Sequence, residues 1–364
     1  MLYQARCVDL VMKFLSMCIL LFLCSCAKEN KAQKELSYED MMGKNMECWQ
    51  YVSAPQDFAN LAFFKDLYLK QSKQPSYFAD SEAIIPKIIH FIWIGPGDFP
   101  KESIPNLQSW LLYHPDWQVK FWTDRPRHLP VSSITEYLIT DWSCTELEKC
   151  YHKTCNFAEK SDILRYEILL REGGLYVDHD VKCFKSFDDL NSKYELYCGL
   201  ELPSDTPTPS SIHVTNNLIA ARPGHPVLQR CVQWLPAHWD EIEKLYPGSD
   251  KISMIRRIAN RTFLVFADSV RALAGRETSD MVFPAFYFNA PTDNEAVYAR
   301  HLYAGTWFQG ENAFEKMVRQ RLMNLSKKSN KILLFSLSAS LLNFVGILFL
   351  IVYFTKKMKS IQKS

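Results

Sequence analysis

Apolar residues recur along this chain with two different periods, and the changes of period mark its elements. From Ile84 to Ile94 the run IIPKIIHFIWI is almost continuously apolar and closes at Gly95-Pro96-Gly97. That pattern predicts a parallel strand buried on both faces. Ile104, Leu107, Leu111 and Leu112 then follow a helical period, and Trp117 to Trp122 alternates as a second strand, so a βα unit opens an α/β sheet. Residues 125–155 read as irregular. The stretch Ser161 to Phe184 comes next, SDILRYEILLREGGLYVDHDVKCF. Ser161 is placed to cap a helix with Asp162 in its first turn, Ile163, Leu164, Ile168 and Leu169 give the helical period, and Gly173-Gly174 stop it. A short strand, Leu175-Tyr176-Val177, runs directly into Asp178-His179-Asp180. Further on, strands are expected at 194–200, 216–221 and 283–288. Helices are expected at 227–245, interrupted at Pro236, and at 262–274.

Alternate residues of an extended segment face the same way, so the Asp178 and Asp180 carboxylates are expected on one side, roughly 6.7 Å apart, with His179 opposite. Two such charges repel by about 2.5 kcal/mol at an effective dielectric near 20. A cation between them removes that cost, and a hard divalent ion that keeps water and phosphate oxygens as further ligands suits a carboxylate pair at a strand end. The natural carrier of such phosphates is a nucleotide.

The composition narrows the classes. With 364 residues and 48% hydrophobic content, one large layered core fits, with apolar segments to spare. Lys and Arg total 42 against 40 Asp and Glu, so no basic field points to nucleic acid. None of the eleven cysteines forms a Cys-x-x-Cys pair, which argues against zinc or redox motifs, although Cys144, Cys150 and Cys155 leave room for one bridge. Residues 14–26, FLSMCILLFLCSC, come directly after Lys13 and suit the core of an export signal, a lipoprotein box ending at Cys26, or an anchor. Ile332 to Phe354 carries no charge, and as a helix of about 34 Å it would cross a bilayer. Lysines flank it on both sides, so the charge rule barely orients it.

Five strings taken together, IPKIIHFIWIG, SW-x-x-YHPDW, KFWTD, SDILRYEIL-x-x-x-GGLYVDHDV and NN-x-x-x-A-x-PGHP, resemble the sugar-transferring domain of glycosyltransferase family 32 over about 84–310. That family includes Golgi and inositolphosphorylceramide mannosyltransferases and shares its core with glucosylating toxins. The resemblance implies a Rossmann-like, GT-A type α/β domain that binds a nucleotide sugar and transfers hexose with retention. It implies that Trp93 stacks on the base, that Asp162 and Arg165 contact donor sugar and phosphates, and that Asp178 and Asp180 bind Mn²⁺ or Mg²⁺ together with the donor. His301, Thr306 and Trp307 are the nearest match to the segment that closes over the donor. Asp178, Asp180 and Arg165 are the expected catalytic set.

The expected organisation is a signal-like or anchor segment at 1–26, a tether with accessory helices at 27–83, the catalytic domain at 84–310, a basic linker at 311–331, the membrane helix at 332–354 and a basic tail at 355–364. The expected partners are a nucleotide-sugar donor, a glycan, lipid or protein acceptor, and a membrane. Two alternatives share these features: a toxin-like effector that glycosylates a host protein, and a membrane-tethered carbohydrate-binding protein without activity.

Overall fold

The computed structural model describes residues 36–73, 83–141, 146–205 and 209–304. The runs at 14–26 and 332–354, and with them Thr306 and Trp307, lie outside the described residues. Among the described residues no helix is long and apolar enough to cross a membrane.

Nine strands are described: β1 (Ile88–Ile92), β2 (Gln118–Thr123), β3 (Thr135–Leu138), β4 (Gly174–Val177), β5 (Val181–Cys183), β6 (Leu196–Leu200), β7 (Val214–Ala221), β8 (Asp280–Phe283) and β9 (Ala299–His301). Seven form one mixed sheet in the order β3-β2-β1-β4-β7-β6-β8, in which β7 alone runs against its neighbours. β5 and β9 pair antiparallel as a separate ribbon. After a single helical turn at Tyr38–Met41, the helices are α1 (Pro55–Ser72), α2 (Ile104–Tyr113), α3 (Glu148–Lys153), α4 (Phe157–Glu172), α5 (Asp188–Asn191), α6 (Pro226–Leu245), α7 (Lys251–Arg261) and α8 (Phe263–Leu273).

The register explains why the strand sequences are apolar throughout. Val119, Ile89, Leu175, Ala220, Tyr197 and Met281 form one row across six strands, and all belong to a single buried cluster that Leu107 and Trp110 of α2 cover. The next row, Lys120, His90, Tyr176, Ile219, Cys198 and Val282, faces the other way. A sheet covered on both faces removes two apolar surfaces from water. His90 and Lys120 are tolerated in that second row because each is paired. His90 bonds through Nε2 to the Gly173 carbonyl (2.8 Å) and through Nδ1 to the Trp122 indole (3.1 Å), and Lys120 meets Glu172 at 2.8 Å.

Several expectations need correction. The central helix begins at Phe157, not at Ser161: Asn156 is its cap, accepting from the Ala158 and Glu159 amides, so Asp162 lies in the body of the helix. α6 runs unbroken through Pro236, because Leu235 before it and Trp239 and Ile242 after it stay buried on one face. The strand expected at 283–288 ends at Phe283, where Pro284 introduces a 3-10 turn at Ala285–Tyr287. Residues 125–155 are not wholly irregular, since they hold β3 and α3. Cys150 and Cys155 are free thiols.

The expected stop at Gly173-Gly174 is present. Both glycines have positive φ (66° and 95°), and a Cβ on Gly174 would lie 2.7 Å from the Ile88 carbonyl. Only glycine lets α4 turn into β4 against β1 so closely.

Candidate active site

Strand β4 ends at Val177, and the next three residues are not extended. The Val181 amide donates to the Asp178 carbonyl (3.1 Å), closing a turn over Asp178–Val181. The turn draws the two carboxylates closer than the spacing of a strand would. It also feeds β5, whose register with β9 sets Val181 opposite His301 and so lays the imidazole beside Asp180. One ligand atom each from Asp178, Asp180 and His301 lies within 4.8 Å of the others, the one such cluster among the described residues.

Asp180 is held firmly. The Ala304 amide donates to its Oδ2 (2.7 Å), the Leu302 amide to its carbonyl (2.9 Å), and His301 Nε2 stands 3.3 Å from Oδ1. Burial works to raise the carboxyl, but His301 and these donors outweigh it and keep Asp180 well below the usual carboxylate range. Burial opposes the charge on His301 in turn, yet Asp180, Asp178 and Glu201 raise its pKa above 6.5.

Asp178 is fixed from behind. Tyr176 donates to its Oδ1 (2.5 Å), and Arg165 Nη2 lies 3.3 Å from it and 2.6 Å from Asp162. Arg165 Nη1 donates to the Asn216 carbonyl (2.5 Å), while its guanidinium lies 4.1 Å from the centre of the Tyr176 ring. The residue is only 4% exposed. Burial pushes Asp162 up to about 6 against the pull of Arg165, with Asp178 adding to the rise. Asp162 therefore serves Arg165 and Asn216, which donates to it at 3.2 Å, rather than the helix N-terminus.

His179, as expected, takes the other side. Its Nδ1 meets Ser103 Oγ at 2.7 Å, and its ring lies edge-on to Trp93 (5.1 Å) and Phe99 (6.0 Å). Trp93 is half-buried and donates to the Gly97 carbonyl (3.0 Å). The loop after Trp93 is clamped by residues to which the sequence assigned no chemistry. Asp124 accepts from the Gly95 amide (3.1 Å) and pairs with Arg127 (2.9 Å), and Arg127 donates to the Gly97 carbonyl (2.6 Å).

Sequence reasoning also missed Glu201, His213 and Tyr303. Glu201 lies 3.3 Å from His213 and accepts a bond from Tyr303, whose ring lies 4.1 Å from that of His301, tilted by 42°. No short motif joins these three, and only the fold brings them together. The φ of Tyr303, 53°, is the one positive value at a non-glycine among the described residues.

The donor set accepts a divalent ion. Two carboxylates and an imidazole offer oxygen and nitrogen, a mixture that suits Mn²⁺ better than the all-oxygen preference of Mg²⁺. His301 Nδ1 is buried without a hydrogen-bond partner among the described residues, which leaves a ring nitrogen unspent.

A sheet of this order, with two aspartates in the turn where a parallel strand ends, is an α/β domain whose cluster lies at the carboxyl end of that strand, where such sheets bind ligands. Residues 100–197 match the family described as the glycosyltransferase sugar-binding region containing DXD motif. The matched region holds Asp162, Arg165, Asp178 and Asp180. Inositol phosphoceramide mannosyltransferase 3 of Schizosaccharomyces pombe is 30% identical over 161 residues, 44% of this chain and 39% of that protein. Subversion of eukaryotic traffic protein A of Legionella pneumophila is 26% identical over 198 residues, 50% of this chain and 29% of that protein. The chain therefore spans about two fifths or less of the length of either relative. Among solved structures, the UDP-bound glycosyltransferase domain from the YGT toxin overlaps 66% of this chain and 90% of that domain, with 10% identity and a TM-score of 0.41.

Proposed function

We propose that this chain transfers a hexose from a nucleotide-sugar donor to a glycan, lipid or protein acceptor on a GT-A type domain, with retention and with the help of a divalent cation. The observation that carries the reading is the convergence of His301 with Asp178 and Asp180, the two aspartates of the matched Asp-x-Asp region. An ion bound there would neutralise the departing nucleoside diphosphate as a Lewis acid. In this reading Asp180 and His301 face the diphosphate, Tyr176 and Arg165 hold Asp178 in place, and Trp93 stacks on the base. Arg165, with its Nη atoms already bonded, is a positioning residue rather than a phosphate clamp. Thr306 and Trp307 remain part of the proposed closing segment. The similarity to mannosyltransferases makes mannose the first sugar to test, and the apolar run 332–354 is proposed to tether the domain to a membrane.

The test is release of nucleoside diphosphate by the full chain in detergent, across a panel of nucleotide sugars, with Mn²⁺ or with a chelator. We expect one donor to be turned over and the chelator to stop it. Turnover insensitive to chelation would overturn the metal assignment, and no turnover of any donor would overturn the transferase reading. The likeness to the Legionella protein favours a second reading, transfer to a host-cell protein. Labelling of a protein band from labelled donor in a eukaryotic lysate, rather than of lipid or glycan, would select it.

A further inference from the structure

On the face of the sheet that carries α4, helices α1, α6 and α8 enclose a cleft of about 430 Å³ against the start of β7. It is separate from the metal cluster but joined to it. His213 lines the cleft and lies 3.3 Å from Glu201; Glu201 bonds Tyr303, and the Tyr303 ring packs tilted against His301. Val214 also lines the cleft, two residues before Asn216, whose carbonyl receives Arg165. The start of β7 and the end of β4 lie at the same edge of the sheet, so cleft and cluster both border that edge.

The lining has more positive than negative charge. Arg230 of α6 and Arg271 of α8 flank Asp268. Arg230 forms no ion pair among the described residues, and Arg271 rests 4.8 Å over the Phe63 ring with its Nη1 lacking a hydrogen-bond partner. His213 adds no surplus because Glu201 answers it. Guanidinium groups with unspent donors match carboxylate or phosphate oxygens. The Gln56 amide donates to Asn60 (2.7 Å) and the Asn260 amide to the Arg256 carbonyl (2.8 Å), so each keeps its carbonyl oxygen and a second N–H for hydroxyl groups, and Trp234, with His238 stacked on its ring at 4.1 Å, supplies an apolar wall. Hydroxyl-binding amides, an aromatic wall and a net positive charge together suit a sugar that bears an anion.

We propose that this cleft is the acceptor subsite and takes an anionic carbohydrate, a sugar carrying phosphate or carboxylate. The assignment as acceptor rests on the transferase reading, whereas the binding itself does not. Calorimetry on the full chain in detergent, without nucleotide, would compare glucose 6-phosphate, glucose and inorganic phosphate. Glucose 6-phosphate should bind most tightly. Arg230→Glu, at an exposed position, should weaken it by about tenfold or more, the loss of a charge-assisted bond. Asp268→Asn should tighten it, a gain that a merely structural Asp268 would not give. Equal binding of glucose and glucose 6-phosphate, phosphate as tight as the sugar phosphate, or an indifferent Arg230→Glu variant would each overturn the site. With donor and Mn²⁺, glucose 6-phosphate should then raise nucleoside diphosphate release by the wild type. Binding without that stimulation, in an enzyme that hydrolyses its donor, would overturn the acceptor role alone. Binding by a chain that turns over no donor would instead remove the transferase reading and the acceptor role with it.

Discussion

Replacing Arg165 by Lys separates a residue that grips the donor from one that grips Asp178. The guanidinium now serves Asp162 (2.6 Å), Asp178 (3.3 Å) and the Asn216 carbonyl (2.5 Å) at once. At 3.3 Å and an effective dielectric of about 20, the attraction to Asp178 alone is about 5 kcal/mol before desolvation is charged against it. Deleting one partner of such a buried set leaves the others uncompensated, so Arg165→Ala should cost about 3–5 kcal/mol of stability. A lysine keeps the charge but gathers its three donors on one nitrogen in place of a planar fork. It can answer the two carboxylates only by giving up the carbonyl, at about 1–3 kcal/mol, and it no longer fixes the orientation of Asp178. Loss of a group that orients a metal ligand typically weakens the ion about 10–100-fold. We therefore expect Arg165→Lys to unfold in urea slightly earlier, to bind Mn²⁺ about 10–100-fold more weakly by calorimetry, and to keep its donor KM once Mn²⁺ is saturating. Unchanged Mn²⁺ affinity with a raised donor KM would refute the reasoning and return Arg165 to the phosphates.

Asp180→Asn should abolish transfer while the protein still folds, since Asn keeps an oxygen for the Ala304 amide; near-normal turnover across a Mn²⁺ titration would show that the cluster is not the metal site. Trp93→Ala should raise donor KM and cost some stability, because the ring also packs edge-on against Phe99 and His179; a folded variant with unchanged donor affinity would assign Trp93 to packing alone. Burial holds His90 down to about 3 from 6.5, with the bond to Gly173 working against the shift and Lys120 adding to it. The unfolded chain therefore binds the proton that the folded chain refuses. The His90 contribution is complete above pH 6.5 and is lost as pH falls toward 3, at about 1.4 kcal/mol per unit, or about 2 kcal/mol by pH 5. His90→Gln can keep both hydrogen bonds but cannot titrate, so urea unfolding between pH 7.5 and 5 should show a shallower loss than in the wild type; parallel slopes would contradict this account.

How much of the molecule is legible in its sequence depends on how far apart the cooperating residues lie. β1 was legible because Ile89 to Ile92 is buried on both faces and the stretch around it reads as one apolar run. β3 was not, because Thr135–Leu138 is an edge strand with no buried residue. The start of α4 was misplaced because its first turn has no apolar stripe: Phe157, its one large apolar residue there, is 42% exposed. Asn156 does the capping ahead of any periodic signal. In the site, the Asp-x-Asp triplet announced two ligands, but their geometry depends on a turn, and the turn is fixed by the strand it leads into. That strand, β5, is itself held by β9, from near the end of the described chain. The pairing of Val181 with His301 makes an imidazole the third member of the cluster, and a motif search confined to the triplet contains no trace of it. Arg165 shows the same limit from the other side. Its pair with Asp162 is local to the helix, but its commitment to Asp178 and to the Asn216 carbonyl needs β4 and β7 side by side. On the proposed reading, that commitment makes Arg165 part of the frame that holds Asp178.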